Sequence, residues 1–175
     1  MQDRRVTRTR TALIEAFNHL VLSRRHKRIR VSDIVAEANV GRSTFYEHYR
    51  SAEDIHMEAL SRPFALLADA AVGRCEPDRL ANLLSHFWEN RQRARDTITG
   101  RNGERAGRLL AELVEQRLGE TALIIPTRLA ALQLAEAAFA PVRGWLLAEA
   151  PCTPAALSAS ICRCGQQMLA ALAVD

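Results

Sequence analysis

Two apolar stripes at helical spacing, set close together with a tight break after the second, constrain this chain more than any other feature. Leu13, Ala16, Phe17, Leu20 and Val21 recur at i, i+3, i+4, i+7 and i+8, which is one buried face of a helix. That helix is expected from about Thr7 to about Ser23, where the basic run Arg24–Arg28 begins. Val31, Ile34, Val35 and Ala38 form a second, shorter stripe. It stops at Asn39-Val40-Gly41, where Asn39 and Gly41 can both take positive φ at low cost. A third helix is expected at once, over 42–49. Two short helices joined by so tight a turn define a helix-turn-helix.

The rest of the chain also reads as helical. Ser51 with Asp54 three residues on approximates a capping box, so a fourth helix starts there. Pro63 is expected to kink or end it, because proline lacks the N–H that a helix interior needs, with a further helical piece to Gly73. Pro77 suits the first position of a helix over 77–94 carrying Leu80, Leu83, Leu84, Phe87 and Trp88. Residues 96–103, with Gly100 and Gly103, read as a loop. Helices over 104–118 and from Pro126 to about Glu149 follow, the latter kinked at Pro141. Thr153 as N-cap and Pro154 behind it open a last helix to about Ala173. No segment alternates over strand length. The expected fold is all-α: an N-terminal three-helix helix-turn-helix domain over 1–50 and a C-terminal helical ligand-binding and dimerisation bundle over 51–175.

Charge is concentrated at one end. Residues 1–50 hold eleven Lys and Arg against five Asp and Glu, whereas the remaining 125 residues hold thirteen against fifteen. A basic end of that kind suits a polyanion partner. It is equally compatible, taken alone, with a solvated basic helix. No apolar run approaches the length of a membrane span and no leader pattern opens the chain, so a cytoplasmic location is expected. The four cysteines are irregularly placed and do not read as a disulfide framework.

The third helix carries the functional pattern. Phe45 and Tyr49 share a face and are expected to pack on the first helix. Arg42, Ser43 and Thr44 sit at the N-terminal end, where a helix-turn-helix meets base edges. An arginine there can bond guanine O6 and N7 together. Tyr46 and His48 are better placed for phosphate oxygens.

The stretch Val31–Ile55, with its Thr44-Phe45-Tyr46-Glu47-His48-Tyr49 core, resembles the N-terminal domain of the TetR/AcrR family of transcriptional regulators. With the first helix, the resemblance covers about residues 7–56. It implies a homodimer, usually a repressor, on a palindromic operator, released when a small molecule binds the C-terminal domain. By motif position it assigns Arg30, Ser32, Arg42, Ser43, Thr44, Tyr46, His48 and Arg50 to DNA, and Phe45 and Tyr49 to packing. Three positions depart from the family pattern. Arg30 stands where a capping Thr is usual, Asn39 where the turn usually has Gly, and Ala52 where a phosphate-contacting Lys is usual.

Past the head, the sequence offers no nucleophile–base pair, no Gly-rich phosphate loop and no metal-ligand spacing, so neither an enzyme nor a cofactor or metal is expected. Phe64, Phe87, Trp88, Phe139 and Trp145 either line a cavity for a small apolar or aromatic effector or form plain core. Cys162 and Cys164 point about 200° apart on a helix and cannot bond each other. Leu157, Ile161, Cys164, Met168 and Leu172 form a seam suited to a dimer contact. Two alternatives stay open: a protein of this fold that works through a protein partner, and an all-α enzyme using His86 with Cys75 or Cys152.

Overall fold

The computed structural model describes residues 2–23 and 29–174. The basic run Arg24–Arg28 lies outside the described residues. Nine helices are found among those described: α1 (Gln2–Ser23), α2 (Val31–Glu37), α3 (Arg42–Tyr46), α4 (Ala52–Ala71), α5 (Pro77–Glu89), α6 (Arg91–Ile98), α7 (Gly100–Leu118), α8 (Thr127–Leu146) and α9 (Pro154–Leu172). The fold is all-α. A single antiparallel bridge, Leu123 with Ala173, is the only extended pairing among the described residues.

The chain divides into two units, Met1–Leu60 and Ser61–Asp175. The division falls inside α4, past the 50/51 boundary read from the sequence. The reason is local: Ile55 is buried in the N-terminal core and Ala59 packs against it.

In the first unit, α1 supplies Leu13, Phe17 and Leu20, α2 supplies Ile34 and Val35, and Phe45, Tyr49 and Ile55 complete the cluster. This is the stripe the spacing demanded. His19 on α1 and Glu37 on α2 add a surface contact, Nδ1 to Oε1 at 2.7 Å. The turn between α2 and α3 places Asn39 at φ 51°. Gly41 differs from expectation: at φ −72° it is the extended N-cap of α3. α3 also ends three residues early. The N–H groups of His48 and Tyr49 both donate to Phe45 O, so the last turn tightens rather than extends.

In the second unit, α7 packs along α8, while α5 and α8 both pack on α9. Pro63 and Pro141 lie inside α4 and α8, which continue past them. Buried residues beyond each proline, Phe64 and Leu67 in one case, Val142 and Trp145 in the other, hold the helix across the missing hydrogen bond. Residues 77–94 break at Asn90 into α5 and α6. Residues 96–103 are mostly helical: the chain turns at Thr99 and Gly100 and resumes at once as α7. That turn is so tight that a Cβ on Gly103 would strike the carbonyl of Ile98. Here glycine marks a close crossing of two helices, not a loop.

α9 begins as expected, with Ala156 N donating to Thr153 Oγ1 at 3.1 Å. Its seam is not a free surface. Leu157, Ile161 and Leu172 are buried within the protomer, whereas Cys164 is exposed. The buried cysteine is Cys162, and it is bridged to Cys75. The expectation of no disulfide is thus corrected, because the fold brings together two cysteines 87 residues apart. Arg117 ties α7 to the C-terminal half of α4. Its Nε donates to Asp69 Oδ1 at 2.5 Å, and its terminal nitrogens donate to Leu113 O at 2.9 Å and Ala65 O at 3.0 Å.

Gly165 lets α9 press its backbone onto the end of α4, where a Cβ would collide with Ala70 O and crowd the Ala71 peptide. Gly165→Ala should therefore lower the unfolding free energy by about 1–3 kcal/mol, as overpacking does. Denaturant titration measures this; an unchanged midpoint would refute the close contact.

Candidate nucleic-acid interface

Phe45 is fully buried and Tyr49 is 5% exposed, so the inner face of α3 is committed to the core. The outer face is then fixed by helical geometry. Arg42, Ser43 and Tyr46 are exposed, while Thr44 and His48 are half-buried. Tyr46 is 57% exposed, a large fraction for an aromatic side chain. Its ring stands edge-on to Phe45, with centroids 5.5 Å apart and planes at 90°, so the core aromatic props the surface one.

Tyr46 does not stand alone. A groove of about 360 Å³ is lined by Ile29, Arg30, Val31, Tyr46, Arg50, Ser51, Ala52 and Glu53. Its lining includes Arg30, ahead of α2, Arg50, ahead of α4, and Tyr46. Two guanidiniums and a phenol around one concavity can hold a phosphate oxygen by charge-assisted bonds. Glu53 on the same rim offsets one of the two positive charges. Ser32 is half-buried in the first turn of α2.

The helix starts beside the groove are already capped. Arg30 N donates to Asp33 Oδ2 at 2.9 Å, so Asp33 supplies the N3 half of a capping box. The Ser51–Asp54 box forms with a shift of one residue. Asp54 N donates to Ser51 Oγ at 3.2 Å, while the Asp54 carboxylate accepts from Arg50 N at 3.2 Å. Arg50 is thereby held by its own backbone with its side chain exposed. The groove was missed in the sequence because its walls come from three elements; the signal was there in Arg30, Tyr46 and Arg50 taken together.

The five aromatics of the C-terminal half are placed otherwise. Phe64 and Phe139 are buried and meet at 5.8 Å. Trp145 is buried, stacks on half-buried Trp88 at 4.8 Å, and donates its Nε1–H to Cys152 O at 3.0 Å. Phe87 is half-buried. None of the five lines the cleft of about 700 Å³ in this unit. Its walls are Ile98, Thr99 and Gly100, the α7 residues Gly103, Glu104, Gly107, Arg108 and Ala111, and the α8 residues Leu132, Ala135, Glu136 and Arg143. The sequence signal for it was the pair Gly103 and Gly107, four apart on one helix face.

An exposed, arginine-flanked third helix in a helix-turn-helix, followed by an all-helical unit, is an arrangement found in helix-turn-helix transcriptional regulators. No family model matches the chain. A curated Bacillus subtilis (strain 168) protein, the uncharacterised HTH-type transcriptional regulator YxbF, is 38% identical over 68 residues. That match covers 38% of this chain but only 18% of the relative's length. A TetR transcriptional regulator from Streptococcus agalactiae 2603V is 26% identical in sequence, with TM-score 0.50 over 96% of this chain and 97% of that one. The TetR family repressor AlkX from Dietzia sp. strain DQ12-45-1b, implicated in biodegradation of n-alkanes, shares the fold at TM-score 0.61 and 20% identity, over 95% and 99% of the two chains. The dihydroxyacetone kinase operon activator DhaS shares it at TM-score 0.51 and 19% identity, over 95% and 98%. The chain thus resembles TetR-family regulators in fold over nearly its whole length, at 19–26% identity, and resembles an HTH-type regulator in sequence over 68 residues.

Below α3, burial pushes the Tyr49 phenol up from 10.0 to about 12, with the Glu58 charge adding to the effect. The folded state therefore holds this proton more tightly than the unfolded chain. Its contribution to stability is whole below pH 10 and is lost as pH rises toward about 12. Tyr46 and Tyr49 are the two tyrosines of the chain, so the Tyr46→Phe variant isolates the signal. Its ultraviolet phenolate titration should have a midpoint near 12; a midpoint near 10 would mean that Tyr49 is not buried.

Proposed function

We propose that this chain is a homodimeric, ligand-released repressor that reads a palindromic operator with two copies of α3. The observation that carries the reading is the convergence of Arg30, Tyr46 and Arg50 on one groove beside exposed Arg42 and Ser43. In the complex, Arg42, Ser43 and Thr44 meet base edges in the major groove. Arg30, Ser32, Tyr46, His48 and Arg50 hold phosphates and set the register. Two heads about 34–36 Å apart would occupy successive major grooves.

The effector site is the cleft between α7 and α8. Its lining is apolar through Ile98, Ala111, Leu132 and Ala135 and charged through Arg108, Arg143, Glu104 and Glu136. The Glu136–Arg143 contact, at 2.6 Å, shows that the lining can already pair opposite charges. An amphipathic ligand, apolar with one charged group, fits this lining better than a wholly apolar one. The cleft lies on the N-terminal half of α7, whose C-terminal end is clamped to α4 through Arg117 and Asp69. A ligand that binds best when α7 has shifted would depopulate the DNA-binding state.

The test is fluorescence anisotropy on the DNA upstream of the chain's own gene, across a salt series. Tyr46→Ala should weaken binding by at least tenfold with an unchanged unfolding midpoint. Arg30→Ala and Arg50→Ala should each flatten the log–log salt slope by about 2 per dimer, one phosphate per protomer. Binding that ignores salt would instead favour a protein partner on this head.

For the cleft, the probe is 8-anilinonaphthalene-1-sulfonate, an apolar aromatic with one negative charge. Its fluorescence should rise on the wild type and fall back in Gly107→Leu, which fills the α7 side of the cleft. Equal fluorescence in both would move the site elsewhere.

A further inference from the structure

We propose that Cys75 and Cys162 form a reversible thiol–disulfide site, in which Cys75 exchanges with small disulfides and Cys162 resolves, and whose closure pins the α4–α5 turn onto α9. The two cysteines come from elements 87 residues apart, yet their Cα atoms stand 5.5 Å from one another, within the range a disulfide requires.

Contacts on either side of the bridge bring the two residues close before it forms. Along α9, Ser158, Cys162, Gly165 and Gln166 follow one face. Ser158 Oγ donates to Pro77 O at 2.7 Å, on the far side of the turn. Gly165 seats against Ala70 O on its near side, and Gln166 lies beside Gly73. Cys75 sits between these fastenings, so the sulfurs can meet without movement of either helix.

The two sulfurs differ in access. Cys162 is 6% exposed, whereas Cys75 is half-buried in a turn whose neighbours Arg74 and Glu76 are exposed. An external reagent therefore meets Cys75 first. The chemistry balances with a low-molecular-weight disulfide, RSSR, as oxidant. The Cys75 thiolate attacks one sulfur of RSSR, forming a Cys75–SR mixed disulfide and expelling RS⁻. The Cys162 thiolate then attacks the Cys75 sulfur, forming the protein disulfide and expelling the second RS⁻. Two protein thiols lose two electrons and two protons, and RSSR becomes two RSH. A thiol reverses both steps, again entering at Cys75.

The expectation of reversibility rests on the DNA-binding reading above. A DNA-bound regulator works in a compartment kept reducing, where protein disulfides are transient or redox-sensing. The site chemistry itself is read without DNA, so the two readings fail separately.

The test uses the full chain with glutathione disulfide and dithiothreitol as probes, alkylation of free thiols, and peptide mass mapping. Glutathione disulfide should link Cys75 to Cys162, while Cys152 and Cys164 form only glutathione adducts, and dithiothreitol should reopen the Cys75–Cys162 link under native conditions. In Cys162→Ser, a glutathione adduct should accumulate at Cys75; in Cys75→Ser, Cys162 should stay unmodified while exposed Cys152 and Cys164 serve as reactivity controls. Amide exchange over residues 70–76 should slow by about tenfold on oxidation of the wild type. An adduct first at Cys162, a bridge that dithiothreitol cannot open without denaturant, or unchanged exchange over 70–76 would each overturn the proposal. The wild-type mapping decides the case even if a variant fails to fold.

Discussion

Everything the N-terminal unit presents to the outside depends on the burial of Phe45 and Tyr49 against α1. A helix of five residues has no stability of its own in water, because nucleation costs more than so few hydrogen bonds return. α3 exists because Phe45 is fully enclosed by a cluster that includes Leu13, Phe17, Leu20 and Ile34. Burying one such aromatic side chain contributes about 2–3 kcal/mol. The same burial fixes the rotation of α3 about its axis, which decides that Tyr46 and Arg42 face outward. The core and the exposed face of α3 are thus two consequences of one packing choice.

The C-terminal unit is held by a different device. α8 buries Ala130, Ala131, Ala135 and Ala138 beside Leu134 and Phe139, so small side chains let helices approach closely. Gly103 and Gly165 extend this to direct backbone contact. Close approach leaves little room for voids, and the cleft opens where small residues on α7 and α8 face each other without a large one to fill the gap. Gly103, Gly107, Ala111 and Ala135 line it. The same residue class that tightens the bundle therefore makes its ligand-sized space.

How much of this was legible in the sequence follows from how local each feature is. α1, α2 and the turn at Asn39 were readable because each rests on spacing within a dozen residues. So was the Thr153 cap. The run 96–103 was misread because Gly100 and Gly103 are loop residues by propensity, and only the crossing of α6 and α7 gives them a helical use. At Pro63 and Pro141, buried residues beyond the proline carry the helix onward against a local penalty of about 3 kcal/mol. The α9 seam had the right spacing but the wrong partner, since Leu157 and Ile161 are consumed within the protomer. Among the DNA-facing candidates, exposure was legible from amphipathicity, but the convergence of Arg30 and Arg50 on Tyr46 depends on where α2 and α4 begin in space.

The placement of the Cys75–Cys162 bridge and of the Arg117 clamp gives the second unit an internal logic. α4 contributes residues to both units, and its C-terminal half is fastened twice. Arg117 grips Asp69 and Ala65 O from α7, and Gly165 with Cys162 grips the following turn from α9. These fastenings come from different helices, so each can be altered without the other. Under the proposals above, a ligand in the α7–α8 cleft would act on the first, through α7, and thiol exchange at Cys75 would act on the second, through α9. By linkage, any change in α4 that one input favours must alter the free energy of the other by the same amount. Two chemically unrelated signals can thus bear on one helix without sharing a binding site.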